Sequence, residues 1–443
     1  MKSTLKSRAV LAVFFLMLFS LTSCNDDVDD PFYVAVLVKE AIYNGMQEWY
    51  FWNDELPQNI RVRNYQTNEE LLEDLKYETL DKWSYLTTTE AFNKAFTGQN
   101  AGHGVGYTID QQDRVFLTFV YKDSPAGIDG WQRGWEILEV NGKPVSAYKV
   151  GNGYDLQLGP NSVGVTNTFK LRLPDGSSVE RTIQKEEYQS NSVLYQTVIE
   201  QGDKKIGYWV YNSFKATPQV QPTKSVEVEE SMAYFEQSGV NELIIDLRYN
   251  GGGSVAVAEQ IMNYLVPQSA SGKLMYTNAH NQNKSNLNEE QHFEKIGLLN
   301  LQRVVFITSR GSASSSELII NCLSPYMELV LVGDNTHGKP VGAFPLSGFY
   351  KALRENDVEL VPITFAIANA EGKAAYYGGF PVDFAAADDP SKNWGDLGEE
   401  RLKAAISYLE SGAFPTGSKR HYTSPSWAMI DNFKGLGQEF PAY

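Results

Sequence analysis

Apolar side chains at Val38, Ile42, Met46 and Trp49 recur in steps of four, four and three, which puts them on one face of a helix over 34–52. Asn68-Glu69-Glu70-Leu71-Leu72 reads as a second helix start, with Asn68 as the cap and acidic side chains in the first turn. These segments make 31–100 a helical region, closed by Asp81-Lys82-Trp83-Ser84-Tyr85. From about residue 101 the texture changes to short strands and glycine turns. A strand over 115–120 is followed by Ser124-Pro125-Ala126-Gly127, which opens a short helix, and a strand over 137–140 ends in the turn signal Asn141-Gly142. They bound a small β-rich unit over 101–188. From 195 to 412 strands and helices alternate, with strands over 206–211, 243–247, 304–308 and 329–332 and helices over 227–237, 255–265 and 314–323. Continuously apolar strands in such alternation predict an α/β domain whose sheet is covered on both faces. Residues 413–443, rich in Ser, Pro, Gly and aromatics, read as an extension packed on the body.

The first residues change the picture from fold to compartment. Lys2, Lys6 and Arg8 precede an apolar run over 9–21 that is too short to span a bilayer, so 1–23 reads as a signal peptide. It ends in Leu21-Thr22-Ser23-Cys24, which resembles a bacterial lipobox; the resemblance implies cleavage before Cys24 and a lipid anchor on it. An ordinary signal peptide with a chance cysteine is the bland alternative. Asp26, Asp27, Asp29 and Asp30 then make 24–30 an acidic tether, either merely solvated or similar to an export signal for the outer surface. The chain is expected in the bacterial cell envelope, held at the outer membrane through Cys24 on its periplasmic or exposed side. Cys322 is the only other cysteine, so lipidation of Cys24 leaves no intrachain disulfide, and Cys322 reads as a small core residue. A net charge of −16 without a basic stripe argues against a nucleic-acid partner.

Chemistry concentrates in two loops that follow apolar strands. The first, Asp246-Leu247-Arg248-Tyr249-Asn250-Gly251-Gly252-Gly253, can bring backbone N–H donors close to another group. It lacks the glycine spacing of a dinucleotide loop and the Lys-Ser/Thr of a phosphate loop, and no cofactor is implied; a purely structural turn stays open. The second, Ser309-Arg310-Gly311-Ser312-Ala313-Ser314-Ser315-Ser316-Glu317, leads into a helix whose N-terminus favours a developing anion. Ser314 and Glu317 have the spacing of a capping box, which helices use without any catalysis. Lys339, in Thr336-His337-Gly338-Lys339-Pro340 after the next strand, tips the balance: a buried lysine with a lowered pKa can serve a serine as base. Loops at the ends of neighbouring parallel strands converge. His103, His280, His292 and His421 show no metal-ligand spacing, and no metal site is expected.

In this order the marks resemble the C-terminal processing (tail-specific) protease family, in a lipoprotein form. They are Asp81-Lys82-Trp83-Ser84-Tyr85, the 101–188 unit, Ile206-Gly207-Tyr208 with Phe214, the glycine loop, Ser312 to Glu317, Gly338-Lys339, and Gly379 to Asp383 in altered register. The resemblance implies a crotonase-like α/β peptidase domain over 195–412, preceded by the helical region and an inserted PDZ domain. Within 101–188, Gly104-Val105-Gly106-Tyr107 would match the loop that receives a peptide carboxylate, and Trp135 stands where such domains usually have Asp. By the same resemblance Ser314 is the nucleophile of an endopeptidase acting on proteins with free C-termini, and Lys339, 25 residues later, is its base. The N–H groups of Ser315 and of Gly253 or Gly252 would hold the oxyanion. The family usually places a glutamine four residues beyond the lysine to orient its amine; here that position is Ala343. His337 is the nearby candidate for that task, or for the base itself as in the related tricorn-type enzymes. Ala343 also motivates the rival reading, an inactive lipoprotein that binds peptide termini without cutting them. An acyl-CoA enzyme on the same fold is disfavoured, because the lipobox separates the chain from cytoplasmic CoA.

Overall fold

The strand–helix alternation after residue 190 builds a mixed six-stranded sheet, in the order Val193–Gln201, Lys204–Tyr211, Glu242–Asp246, Arg303–Thr308, Glu328–Gly333, Phe384–Ala385. The first pair is antiparallel and the others are parallel. A computed structural model describes residues 31–110, 112–151, 153–217 and 223–415. The expected signal peptide, Cys24 with its tether, His421 and nearly all of 413–443 lie outside these residues. Side chains alternate across the sheet, so Leu243 and Ile245 face one core with Val304 and Phe306, while Ile244 faces the other with Val305 and Ile307. Helices Val226–Gln237, Val255–Leu265 and Ser315–Leu323 close the first face. Leu402, Ala405 and Leu409 of helix Glu400–Ser411 close the second.

A second, four-stranded sheet, Glu289–His292, Leu274–His280, Ile363–Asn369 and Val341–Ala343, is antiparallel. It was not read from the sequence, and it joins the N-terminal region to the rest. Helix Pro31–Trp49 buries Val38, Ile42, Met46 and Trp49 as their spacing predicts. It buries them against Val341, Ala343, Leu346, Leu353, Leu360 and Ile363, and strand Tyr85–Thr87 pairs antiparallel with Glu359–Val361. The next helix, Asn68–Leu75, is capped by Thr67 rather than Asn68. The Thr67 hydroxyl accepts from Glu70 N–H at 3.1 Å and the Glu70 carboxylate accepts from Thr67 N–H at 3.3 Å. Threonine outcompetes the next residue here because Glu70 stands at the third helical position after it; losing such a cap costs about 1 kcal/mol.

Residues 105–184 form a separate antiparallel sheet, ordered Ser178–Gln184, Thr166–Arg172, Glu136–Val140, Val115–Val120, Val105–Ile109, with its own core. Ser124 caps the predicted short helix Pro125–Ile128. Between 145 and 165 the described residues form only the turn Val145–Tyr148 and a hairpin of Lys149–Val150 with Gly153–Tyr154. A neck of two short strands, Gln99–Gly102 and Glu186–Gln189, returns the chain to the main sheet. Arg133, 2% exposed, docks the unit there: it pairs with Asp388 at 2.6 Å, donates to the Lys392 carbonyl at 2.9 Å and lies 4.2 Å over the Trp394 ring.

Candidate active site

In the parallel register Asp246 lies beside Ile307, and Thr308 beside Gly333, so three strands end together and release their loops at one edge. The first loop is fixed by a buried ionic cluster. Arg248 pairs with Asp246 at 2.7 Å, Asp388 at 2.6 Å and Glu399 at 3.0 Å. The Arg133 and Arg248 guanidiniums hold Asp388 far below the usual carboxylate range against the opposing effect of its burial. Asn250 then folds the glycines: its Nδ2 donates to Tyr211 O at 2.9 Å, its Oδ1 accepts from Gly252 N–H at 2.9 Å, and its carbonyl accepts from Ala313 N–H at 3.2 Å. Gly252 has φ 111°, and a Cβ there would stand 2.7 Å from that of Ser314. Gly253 has φ 137° and bridges to Phe214, whose carbonyl a Cβ would meet at 2.4 Å.

The second loop holds five serines in or beside its turn, and their hydroxyls are not equivalent: Ser309 Oγ donates to Arg248 O and accepts from Gly311 N–H at 2.9 Å. Ser312 Oγ donates to Leu247 O at 2.7 Å, Ser315 Oγ to Gly253 O at 2.7 Å and Ser316 Oγ to Asn250 O at 2.9 Å. Ser314 Oγ alone of the five is buried without a hydrogen-bond partner. Ser314 is also the residue with φ 57° and ψ −117°, immediately before the helix Ser315–Leu323, which starts one residue later than predicted. Such a backbone costs a non-glycine residue about 1–3 kcal/mol and persists where its surroundings enforce it. The capping box with Glu317 is thus half formed: Glu317 Oε2 accepts from Ser314 N–H at 3.1 Å, while the serine hydroxyl stays free.

Glu317 spends its carboxylate elsewhere as well. Oε2 accepts from Lys339 N–H at 2.8 Å, and Oε1 accepts from Gly338 N–H and from Thr336 Oγ1, each at 2.6 Å. The main-chain nitrogens of Ser314 and Lys339 therefore hang from one oxygen atom, which limits their separation to the sum of two hydrogen bonds. Both side chains line one cleft with Leu318, Pro340, Val341, Ile367 and Tyr376. Lys339 is 7% exposed, and its ammonium donates no hydrogen bond among the described residues. Burial in this apolar wall lowers its pKa from 10.5 to about 8, against the opposing charges of Asp81 and Glu317. Asp81 comes from the N-terminal region, buried and held by Tyr50 Oη at 2.7 Å and by the N–H groups of Trp83 and Ser84 at 3.0 and 2.9 Å.

The other expected residues sit as follows. Gly252 has its N–H taken by Asn250, whereas the N–H groups of Gly253 and Ser315 donate to nothing among the described residues. His337 is exposed, accepts from Trp83 Nε1 at 3.4 Å and does not line the cleft. Ala343 is buried in the core of the N-terminal region, paired with Ile363. Gly379 and Phe380 pack on the loop that carries Lys339, where Phe380 N–H donates to Thr336 Oγ1 at 2.7 Å. Gly104 precedes the end strand Val105–Ile109, in which Gly106 lies against Phe119 and Tyr107 is buried in the separate core. Cys322 is a free, buried thiol in helix Ser315–Leu323. Glu317 as a bridge, and Asn250 as the organiser of the glycines, were not read from the sequence. The available signal for Glu317 was a carboxylate set directly before the apolar run Leu318-Ile319-Ile320.

Two family models match the chain: peptidase family S41 over residues 205–347 and the peptidase S41 N-terminal domain over 38–85. The chain carries peptidase S41 domains. The larger S41 match contains both loops of the cleft, and the smaller ends just past Asp81 and Ser84. A "Probable CtpA-like serine protease" of Staphylococcus saprophyticus is 24% identical over 260 residues, covering 58% of this chain and 49% of that protein. Carboxyl-terminal-processing peptidase 3, chloroplastic, of Arabidopsis thaliana is 24% identical over 277 residues, covering 58% of this chain and 50% of that protein. The chain thus aligns to about half the length of the curated relatives it matches. A solved structure from Bacteroides fragilis NCTC 9343, described as an S41 protease, superposes with a TM-score of 0.68 at 23% identity. It covers 84% of this chain and 97% of that one, which shows a shared fold.

Proposed function

We propose that this chain is a serine endopeptidase of the tail-specific type, with Ser314 as nucleophile and Lys339 as base. The observation that carries the reading is the suspension of both residues from Glu317 Oε2 above one cleft, with the serine hydroxyl free and the lysine desolvated. Neutral Lys339 takes the Ser314 proton as Oγ bonds to the substrate carbonyl carbon. The carbonyl oxygen, now negative, is received by the free N–H groups of Gly253 and Ser315. The scissile C–N bond then breaks, and the Lys339 ammonium protonates the departing amine. Water, deprotonated by Lys339, attacks the acyl ester; the ester C–O bond breaks, the proton passes from Lys339 to Ser314 Oγ, and the new C-terminus is released. In this reading 195–412 is a crotonase-like peptidase domain, and 101–188 is a PDZ domain that takes a substrate tail at Gly104 to Tyr107. Cys24 carries the lipid anchor in the cell envelope. The test is direct: the purified protein should cut an unfolded protein substrate, while Ser314→Ala and Lys339→Ala should not. Equal turnover by all three would refute it, and intact substrate with wild type would leave a peptide-binding module.

A further inference from the structure

We infer that Glu317 is the positioning residue of the base, acting on Lys339 through the main chain. This inference rests on the Ser314–Lys339 reading. Ala343 carries no polar atom in its side chain, is buried among apolar residues and pairs with Ile363, so nothing at that place can reach the amine. His337, the nearby alternative, faces Trp83 and lies outside the cleft. The Lys339 ammonium makes no hydrogen bond of its own among the described residues, so its direction must be set by its backbone and by the apolar wall.

Glu317 sets that backbone. Its four donors, Ser314 N, Lys339 N, Gly338 N and Thr336 Oγ1, occupy both oxygens of a side chain with 0% exposure. A protonated carboxyl could not accept from all four, so the arrangement belongs to the carboxylate. Thr336 is fixed in turn by Phe380 N–H at 2.7 Å, and the carboxylate rides on the first turn of the helix that Ser314 precedes. A carboxylate shared by the two backbones fixes the nucleophile and the base relative to each other. It also puts a negative charge near Lys339, beside that of Asp81, which favours the ammonium.

Glu317→Gln separates positioning from packing, because it keeps the side-chain volume and one acceptor while removing the charge and the second acceptor. The readouts are thermal unfolding and the pH profile of kcat/KM on a fluorogenic peptide that wild type cleaves. The expected result is a folded protein with kcat down about 10- to 100-fold and KM changed less than about threefold. Its acid limb moves to lower pH, since loss of a neighbouring negative charge lets Lys339 become neutral sooner. A folded Glu317→Gln with wild-type kcat and an unmoved acid limb overturns the inference. If that variant does not fold, Thr336→Val removes one donor from the same carboxylate, and a several-fold fall in kcat at constant KM is expected. An unchanged kcat in folded Thr336→Val also overturns it. Failure of wild type to cleave, by contrast, would sink the peptidase reading itself.

Discussion

Two buried lysines among the described residues have a pKa lowered from 10.5 to about 8 by burial, and each belongs to a serine–lysine arrangement. Lys215 donates to Ser190 Oγ at 2.5 Å and to Ser190 O at 2.8 Å, where the neck meets the main sheet. Ser190 Oγ also donates to Gly98 O at 3.1 Å and accepts from Asn100 Nδ2 at 3.0 Å. That hydroxyl has its donor and acceptor capacity spent, and the lysine is a tie between segments. At Ser314 and Lys339 the same two residue types stand in an apolar cleft with the hydroxyl unbonded and two backbone N–H donors idle. With Ser314 and Lys339 as the proposed nucleophile and base, a lowered lysine pKa beside a serine is not the mark of such a pair. The mark is unspent hydrogen-bonding capacity, kept in place by a neighbour whose own capacity is full.

The sharpest way to break this contrast is to remove each hydroxyl. Ser314→Ala should lower turnover of an unfolded protein substrate by about a thousandfold or more. Ser190→Ala should leave turnover within about threefold, and should instead reduce the stability measured in urea by about 1–3 kcal/mol, since Lys215 loses an acceptor. Comparable losses of turnover in both would erase the distinction. Gly253→Ala should cost about a hundredfold in kcat, because the new methyl group meets Phe214 O at 2.4 Å and displaces an oxyanion donor. The rate should also rise with pH up to about 8 and level off above it, as Lys339 becomes neutral. A profile flat from pH 6 to 9 would exclude Lys339 as base. The smallest effect is on stability. Above pH 8 the folded protein loses the protons of Lys215 and Lys339 while the unfolded chain retains them up to about 10.4. Unfolding then takes up protons, so stability rises between these values and is flat in this respect below them. Urea midpoints compared at pH 7.5 and 9.5 would show it, and Lys215→Met should remove part of the rise.

Legibility from the sequence followed the range of the interactions. The strands around Leu243 to Ile245 and Val304 to Ile307 were plain because burial on both faces makes them uninterruptedly apolar. Val38, Ile42, Met46 and Trp49 announced their helix by spacing alone. What escaped was non-local. Strands Val341–Ala343 and Ile363–Asn369 are short or of mixed polarity and acquire their identity by pairing with distant partners. The half-formed capping box shows the same limit at the cleft. Ser314 and Glu317 carried the pattern of a helix cap, but Thr336, Gly338 and Lys339 share the carboxylate, and Glu317 N–H donates to the Ser314 carbonyl, which leaves the hydroxyl without a partner. Choosing among Ser312, Ser314, Ser315 and Ser316 likewise required knowing which carbonyls lie above them.

The shared core of helix Pro31–Trp49 and residues 341–363 has a consequence for the order in which the molecule can be assembled. A chain made from its N-terminus exposes that helix early, with Ile42 and Met46 covered by Leu71, Leu72 and Leu75 but still lacking their partners from 341–363. Those partners are made some three hundred residues later and include the strand that begins two residues after Lys339. The helix therefore stays only partly sheltered, dependent on whatever keeps nascent chains apart, until residues 341–363 have been made. The loop that carries the lysine cannot settle before then. The cleft of Ser314 and Lys339 thus forms only after segments some three hundred residues apart have both been made.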